Sequence, residues 1–350
     1  MQEKRVSIHN PSTDTENHLP LVVGVDLGGT QMRTAVLRGA TLLSRVSSLT
    51  GEQSSPDLVI PRLFQAVEQA LEEAKVSLEQ IAGIGICAPG PLNYRTGVIC
   101  APPNLPEWDQ VPMRDIFSER FQVPIFVEND ANAAGLGEYM FGAGRGTRHM
   151  VYLTISTGIG GGIITDGQIL EGTFGTAGEL GHMTINWRGE RCNCGNIGCL
   201  ESITSGTAIA RHANAAIADG QGDELLAFAR AQGQAAPDQS STTLRVTART
   251  VAEAAEAGIP LACAIIDEAA EALGIGLVNI LHIFNPEIVI LGGGVAQMGA
   301  RLLDPAKRLV EERTMRVPRE AARIVLAELG PNVGLVGAGA LIYHYQNIEK

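Results

Sequence analysis

Apolar residues in this chain gather into short runs that end on glycine-rich turns, and into longer stretches with helical spacing. Leu21 to Val25 is one such run. The turn Asp26-Leu27-Gly28-Gly29-Thr30 follows it and Arg33 to Leu37 alternates, which predicts a two-stranded hairpin. Pro61 to Lys75 places Leu63, Val67 and Leu71 at helical spacing. Ile81 to Cys87 predicts a buried strand closed by Ala88-Pro89-Gly90-Pro91, and Ile125 to Val127 a strand closed by Glu128-Asn129-Asp130, with a helix over Ala131 to Met140. The pattern then restarts about 130 residues on: Met150 to Ser156 alternates, Thr157-Gly158-Ile159-Gly160-Gly161-Gly162 turns, and Ile163 to Thr165 continues outward. A strand, glycine turn, strand unit used twice argues for two similar domains that divide near Asp130.

Further on, Ile203 to Asp219 and Leu261 to Ile283 are apolar-periodic helices, and Gly220 to Thr243 reads as a helix with a loose surface loop. Glu287 to Leu291 predicts a buried strand leading into Gly292-Gly293-Gly294, and Val333 to Tyr345 carries small residues suited to close packing. Strands alternating with helices give an α/β class.

Composition narrows the partners. A length of 350 residues suits two domains, and 41 glycines fit many tight turns. A formal charge of −12 without a basic run argues against nucleic acid, whose phosphates need clustered Lys and Arg. No stretch reaches the roughly 20 apolar residues of a membrane span. Met1 to Pro20 is polar, lacks the apolar core of a signal peptide and reads as a loosely ordered leader, so a cytoplasmic protein is expected. Its cysteines are then reduced, and a tight cluster of them implies metal before disulfide.

That cluster is His182-x9-Cys192-x-Cys194-x4-Cys199, with Gly189, Gly195 and Gly198 between the ligands. Three thiolates and an imidazole fill a tetrahedral zinc site and leave no open position, so the ion is structural. Unpaired cysteines beside a core histidine are the alternative. Cys87, Cys100 and Cys263 stand alone in apolar stretches and suit core packing.

The turn with Gly28, Gly29 and Thr30 lets backbone amides approach phosphate oxygens, and Asp26 is placed to hold a water on Mg²⁺. Plain hairpin geometry explains the same residues. The second turn, with Thr157, Gly158, Gly160 and Gly161, strengthens the phosphate reading, since two such hairpins can hold one nucleotide. Gly292, Gly293 and Gly294 are a third bare stretch, for an adenosine or simply for a strand-to-helix turn. Neither a Walker loop nor a dinucleotide fingerprint is present. Asp130 at a strand end suits a base that takes a hydroxyl proton, and Asn129 suits sugar hydroxyls, although both residues also suit helix capping. Glu179, His182 and Glu201 bracket the metal loop, where a polyol can supply the donors that a sheltered carboxylate needs. Asn104 sits on a proline-stiffened loop that either faces the sugar or is a plain surface turn.

Together, Asp26-Leu27-Gly28-Gly29-Thr30, Glu128-Asn129-Asp130-Ala131-Asn132, Thr157 to Gly162, and Glu179-Leu180-Gly181-His182 with the cysteines and Glu201 resemble the ROK family of bacterial sugar kinases and sugar-responsive repressors. The resemblance runs from about Leu21 to the C-terminus. It implies a two-domain actin/Hsp70-like ATPase (ribonuclease H-like) fold. The expected layout is a leader over 1–20, a small α/β domain over 21–130 joined by a C-terminal helix over 333–350, and a large α/β domain over 131–332 with a zinc loop at 182–199.

The resemblance also implies ATP with Mg²⁺ as phosphoryl donor, a hexose acceptor and a homodimer or homotetramer. Asp130 takes the base role, while Asn104, Asn129, Asp130, Glu179, His182 and Glu201 contact the sugar and Gly90 adds a backbone contact. Gln31, Ser156 and Asn193 depart from the family pattern, where Lys, Gly and Gly are common. The loop Asn104-Leu105-Pro106-Glu107-Trp108 is glucokinase-like, so the expected reaction is phosphorylation of glucose at its 6-hydroxyl (EC 2.7.1.2). N-acetylmannosamine, N-acetylglucosamine and fructose are alternative acceptors. A sugar-sensing repressor is the remote alternative; it needs a DNA-binding module ahead of the first strand, where about twenty polar residues stand here.

Overall fold

A computed structural model describes residues 18–51, 54–102, 104–234, 236–237 and 244–347. The expected leader therefore lies, through residue 17, outside the described residues, as does much of the surface loop expected within 220–243. The chain forms two compact units, 1–137 with 331–350, and 138–330.

In the first unit, β1 (Leu21–Leu27), β2 (Gln31–Arg38), β3 (Thr41–Leu42) and β4 (Val46–Leu49) precede α1 (Pro56–Ala74) and β5 (Ile81–Ala88). A small sheet of β6 (Leu92–Asn93), β7 (Val98–Ile99) and β8 (Val111–Pro112) leads to α2 (Met113–Phe121), β9 (Ile125–Asn129) and α3 (Asp130–Phe141). The helix α1 begins at Pro56, ahead of the Pro61 start that spacing predicts. Val59 and Ile60 extend the buried stripe backward, and a proline in the first turn lacks only an amide that has no helical partner.

The second unit holds β10 (Met150–Ile155), β11 (Ile159–Thr165), β12 (Gln168–Ile169), α4 (Glu201–Thr204), α5 (Gly206–Ala218) and α6 (Asp223–Ala231). Then come β13 (Ala236–Pro237), β14 (Leu244–Arg245), α7 (Ala248–Glu256), α8 (Pro260–Phe284), β15 (Ile288–Gly292), α9 (Ala300–Arg313), α10 (Arg316–Ala321) and β16 (Arg323–Leu326). The chain returns to the first unit with α11 (Val333–Tyr345).

Both main sheets share one strand order, β3-β2-β1-β5-β9 and β12-β11-β10-β15-β16. Each joins an antiparallel hairpin to parallel strands, so the faint repeat in the sequence is a repeat of topology. β1 is buried over nearly its whole length because α11 covers it. Small residues make that contact intimate: a Cβ on Gly85 would lie 1.7 Å from the Ala338 carbonyl oxygen, and one on Gly24 2.4 Å from that of Leu335. The division between units falls after Gly137, inside α3, the helix that Asp130 begins. The first turns of α3 stay with the first unit because they pack on α11, where a Cβ on Gly337 would lie 2.2 Å from the Ala133 carbonyl oxygen. Among the described residues no helix is long and apolar enough to cross a membrane.

Candidate functional site

In the first unit the parallel strands β1, β5 and β9 end side by side, with Asp26 opposite Cys87, Cys87 opposite Glu128 and Ala88 opposite Asn129. Ligands of open α/β sheets bind beyond such carboxyl ends. Glu128 is fully buried and saturated. Its Oε1 accepts from the Asn129 amide (2.8 Å) and Asn132 Nδ2 (3.1 Å), and its Oε2 accepts from the Tyr345 hydroxyl (3.1 Å). Asn129 Oδ1 accepts from the amides of Ala131 (2.9 Å) and Asn132 (3.3 Å), a capping role. Its Nδ2 faces Gly90, where a Cβ would lie 2.9 Å away. Asp130 is exposed, and its Oδ1 accepts from the Ala131 amide at 2.8 Å.

Asp26 is held more tightly than its motif suggests. It pairs with Arg33, directly across the hairpin, and the Cys87 thiol donates to its Oδ1 at 3.5 Å. Burial, then the carboxylates of Asp26 and Asp130, hold that thiol well above the ordinary range, so it is a neutral donor. Thr50, also buried, grips the glycine turn from behind: its hydroxyl donates to the Gly28 carbonyl (2.7 Å) and its amide to that of Thr30 (2.8 Å). Asn104 stands against this turn, since a Cβ on Gly29 would lie 3.0 Å from Asn104 Cβ. Its loop is anchored by buried Leu105 and Trp108, leaving Asn104 exposed.

The second unit brings together the other expected residues. The turn between β10 and β11 is fixed by α5: the Gly206 amide donates to the Ser156 carbonyl and the Thr207 hydroxyl to that of Thr157, both at 2.7 Å. Glu201 Oε2 accepts from the Ile159 amide at 2.8 Å, so this carboxylate also braces the hairpin. The Glu179 to His182 turn packs on β11, and Gly181 is required there because a Cβ would lie 2.2 Å from the Ile159 carbonyl oxygen.

A cavity of about 1190 Å³ opens beside this hairpin, lined among others by Ser156, Thr157, Thr207, Arg211, Thr247 and Gly294. That volume accommodates a nucleotide. Gly294 reaches it, whereas Gly292 and Gly293 turn inward: Cβ atoms there would lie 2.3 Å from Tyr152 Oη and from the Ile155 carbonyl oxygen. Gly161 likewise serves packing, against Gly178 and Leu180, while Gly160 pairs with Thr154 in the ladder. Sequence reasoning missed the helical side of the cavity, because α5 and α7 lie far along the chain from the hairpin.

His182, Cys192, Cys194 and Cys199 converge, with ligand atoms all within 4.8 Å of one another. Cys194 Sγ lies 3.7 Å from Cys199 Sγ, and Cys192 Sγ 3.7 Å from His182 Nδ1. Zinc–sulfur bonds of about 2.3 Å set tetrahedral neighbours about 3.8 Å apart, so the spacing fits zinc. Burial and the adjacent thiols push Cys199 up to about 12, and burial raises Cys192; a divalent cation would reverse that disfavour and hold thiolates. Gly195 (φ 92°) and Gly198 (φ 69°) supply left-handed turns around the cluster. With Nδ1 turned to the cysteines, His182 Nε2 lies 3.9 Å from Glu179 Oε2.

The model of the ROK family matches residues 22–344. A glucokinase of Halalkalibacterium halodurans is 36% identical over 331 residues, 94% of this chain and 97% of that protein. A ROK family glucokinase from Streptomyces griseus, solved in complex with glucose and AMPPNP, superposes with a TM-score of 0.74 at 33% identity, over 92% of this chain and 98% of that one. A xylose repressor of Caldicellulosiruptor bescii is 30% identical, over 92% of this chain and 77% of that protein.

Proposed function

This chain belongs to the ROK family, and from that premise we propose that it is an ATP-dependent hexose kinase acting on the 6-hydroxyl of glucose. The observation that carries the reading is Asp130, an exposed carboxylate at the end of β9, next to a glutamate that is buried and saturated. A kinase needs a carboxylate that a substrate hydroxyl can reach from solvent, which the exposure of Asp130 allows; a sensor does not.

In this reading Asp130 accepts the proton of the attacking hydroxyl, and Asn129 Nδ2 donates to a neighbouring sugar oxygen. Asn104, Glu179, His182 and Glu201 hold the remaining hydroxyls, with Gly90 offering its backbone where a side chain would strike Asn129. Thr157 and the turns at Gly28, Gly29, Thr30 and Gly158 meet the donor's phosphates, and the cavity beside Thr157 takes its nucleoside. Asp26 would hold Mg²⁺ through water, a cation that neutralises charge on the transferred phosphate. His182, Cys192, Cys194 and Cys199 would hold zinc, which supplies rigidity and keeps His182 Nε2 turned toward Glu179. Reduced thiols in that cluster suit a cytoplasmic protein.

ADP release coupled to a reporter enzyme, measured across glucose, mannose, fructose, N-acetylglucosamine and N-acetylmannosamine, tests the assignment. Glucose should give the highest kcat/KM. Dominant turnover of an N-acetyl sugar would overturn the choice of glucose, and no turnover of any sugar would overturn the kinase.

A further inference from the structure

The zinc loop is clasped at its base by a residue that also lines the nucleotide-sized cavity. Arg211 Nη2, from α5, donates to Glu190 Oε2 (2.6 Å) and to the Ser202 carbonyl (2.8 Å). Glu190 lies two residues before the first cysteine ligand and Ser202 three after the last, so one guanidinium joins the loop's two ends. Each end is tied to the loop itself: the Gly198 amide donates to the Glu190 carbonyl (2.8 Å), and the Ser202 hydroxyl to that of Cys199 (2.7 Å). His212 Nε2 also faces Glu190 Oε2, at 3.2 Å. Arg211 also lines the cavity, beside Thr157 and Thr207.

We propose that Arg211 is a positioning residue that couples the nucleotide cavity to the metal loop, so that a bound nucleotide and a bound zinc ion each tighten the other. This rests on the nucleotide reading of the cavity. A ligand that orders Arg211 stabilises the closed base of the loop, which carries Cys192, Cys194 and Cys199. Coupling between two sites is reciprocal, so the factor by which nucleotide favours zinc equals the factor by which zinc favours nucleotide. The Arg211–Glu190 pair is about half exposed (side chains 44% and 57%), which places that factor at the low end of the usual range, about fivefold.

The test is the rate at which the holoprotein gives up zinc to excess 4-(2-pyridylazo)resorcinol, with and without MgADP, alongside calorimetric titration of MgADP. MgADP should slow zinc release by about fivefold in the wild-type protein, and Arg211→Gln and Glu190→Gln should each abolish that slowing. Because reciprocity holds for affinities, the zinc Kd from equilibrium competition with the same chelator should fall about fivefold with MgADP, and the ADP Kd should rise by that same factor after zinc removal. Glucose should slow release through His182 equally in all three proteins, a control that a general loosening of the loop would not pass. ADP that binds wild-type protein without altering zinc release overturns the coupling alone. So does slowing that persists in Arg211→Gln. Absence of ADP binding overturns the nucleotide reading with it.

Discussion

Glu201 braces the β10–β11 hairpin, a role that can be separated from its proposed contact with sugar. Its Oε2 accepts from the amide of Ile159, a residue only 4% exposed, and a Cβ on Gly158 would lie 2.7 Å from the same oxygen. Glu201→Ala leaves that amide without an acceptor in a sheltered turn. An unmet buried donor costs about 1–3 kcal/mol, and a bond to a charged acceptor contributes about 1.5–3 kcal/mol, so a local loss of ~2 kcal/mol follows. That is roughly a 30-fold rise in local opening. Glu201→Gln keeps a neutral acceptor at the same reach and should forfeit ~1 kcal/mol, roughly fivefold. Hydrogen exchange on ligand-free protein, read at the Ile159 amide, measures this directly. Sugar affinity, measured separately, should fall in both variants. Protection at Ile159 within twofold of wild type in Glu201→Ala would refute the bracing role.

Other consequences reach further from the site. Gly85→Ala forces a methyl to within 1.7 Å of the Ala338 carbonyl oxygen, and should lower unfolding free energy by ~3 kcal/mol; a thermal melt matching wild type would remove the close packing of α11 on β5 from the account. Because the folded protein holds the Cys87 thiol above its ordinary value of 9.0, that stabilisation is complete below about pH 9 and is lost as pH rises toward the raised value. Unfolding free energy should therefore fall from pH 8 to pH 10 less steeply in Cys87→Ala than in wild type, and parallel curves would contradict this. Zinc removal by chelation should weaken glucose binding, read by calorimetry on protein that stays folded by circular dichroism; unchanged affinity would reduce the metal to scaffolding.

The parts of the fold legible in the sequence are those governed by local rules. Alternation and a Gly-Gly turn mark β1 and β2, and ligand spacing marks the metal loop, because both depend on neighbours within a few positions. The partner of Asp26 was within reach of the same reasoning: a short hairpin puts position 33 opposite position 26, where an arginine stands. The hydrogen bond from Ile159 to Glu201 was not, since it joins residues 42 apart across the loop that carries the cysteine cluster. The glycines are the hardest to read. Gly28 and Gly158 sit at turns, yet Gly292 is small because Tyr152 presses on it, while Gly293 both turns (φ 87°) and meets Ile155, and a sequence does not distinguish these needs. The cavity wall from α5 and α7 depends on which helices pack together, information that no local pattern carries.

The central claim is that this chain transfers phosphate from ATP to glucose with Asp130 as proton acceptor. Asp130→Asn tests it most directly, with kcat from coupled ADP release and glucose affinity from calorimetry on the same preparation. The account predicts a fall in kcat of about 10²–10⁴-fold, with the glucose Kd changed by only a few fold. A variant that turns over glucose within tenfold of wild type would contradict it.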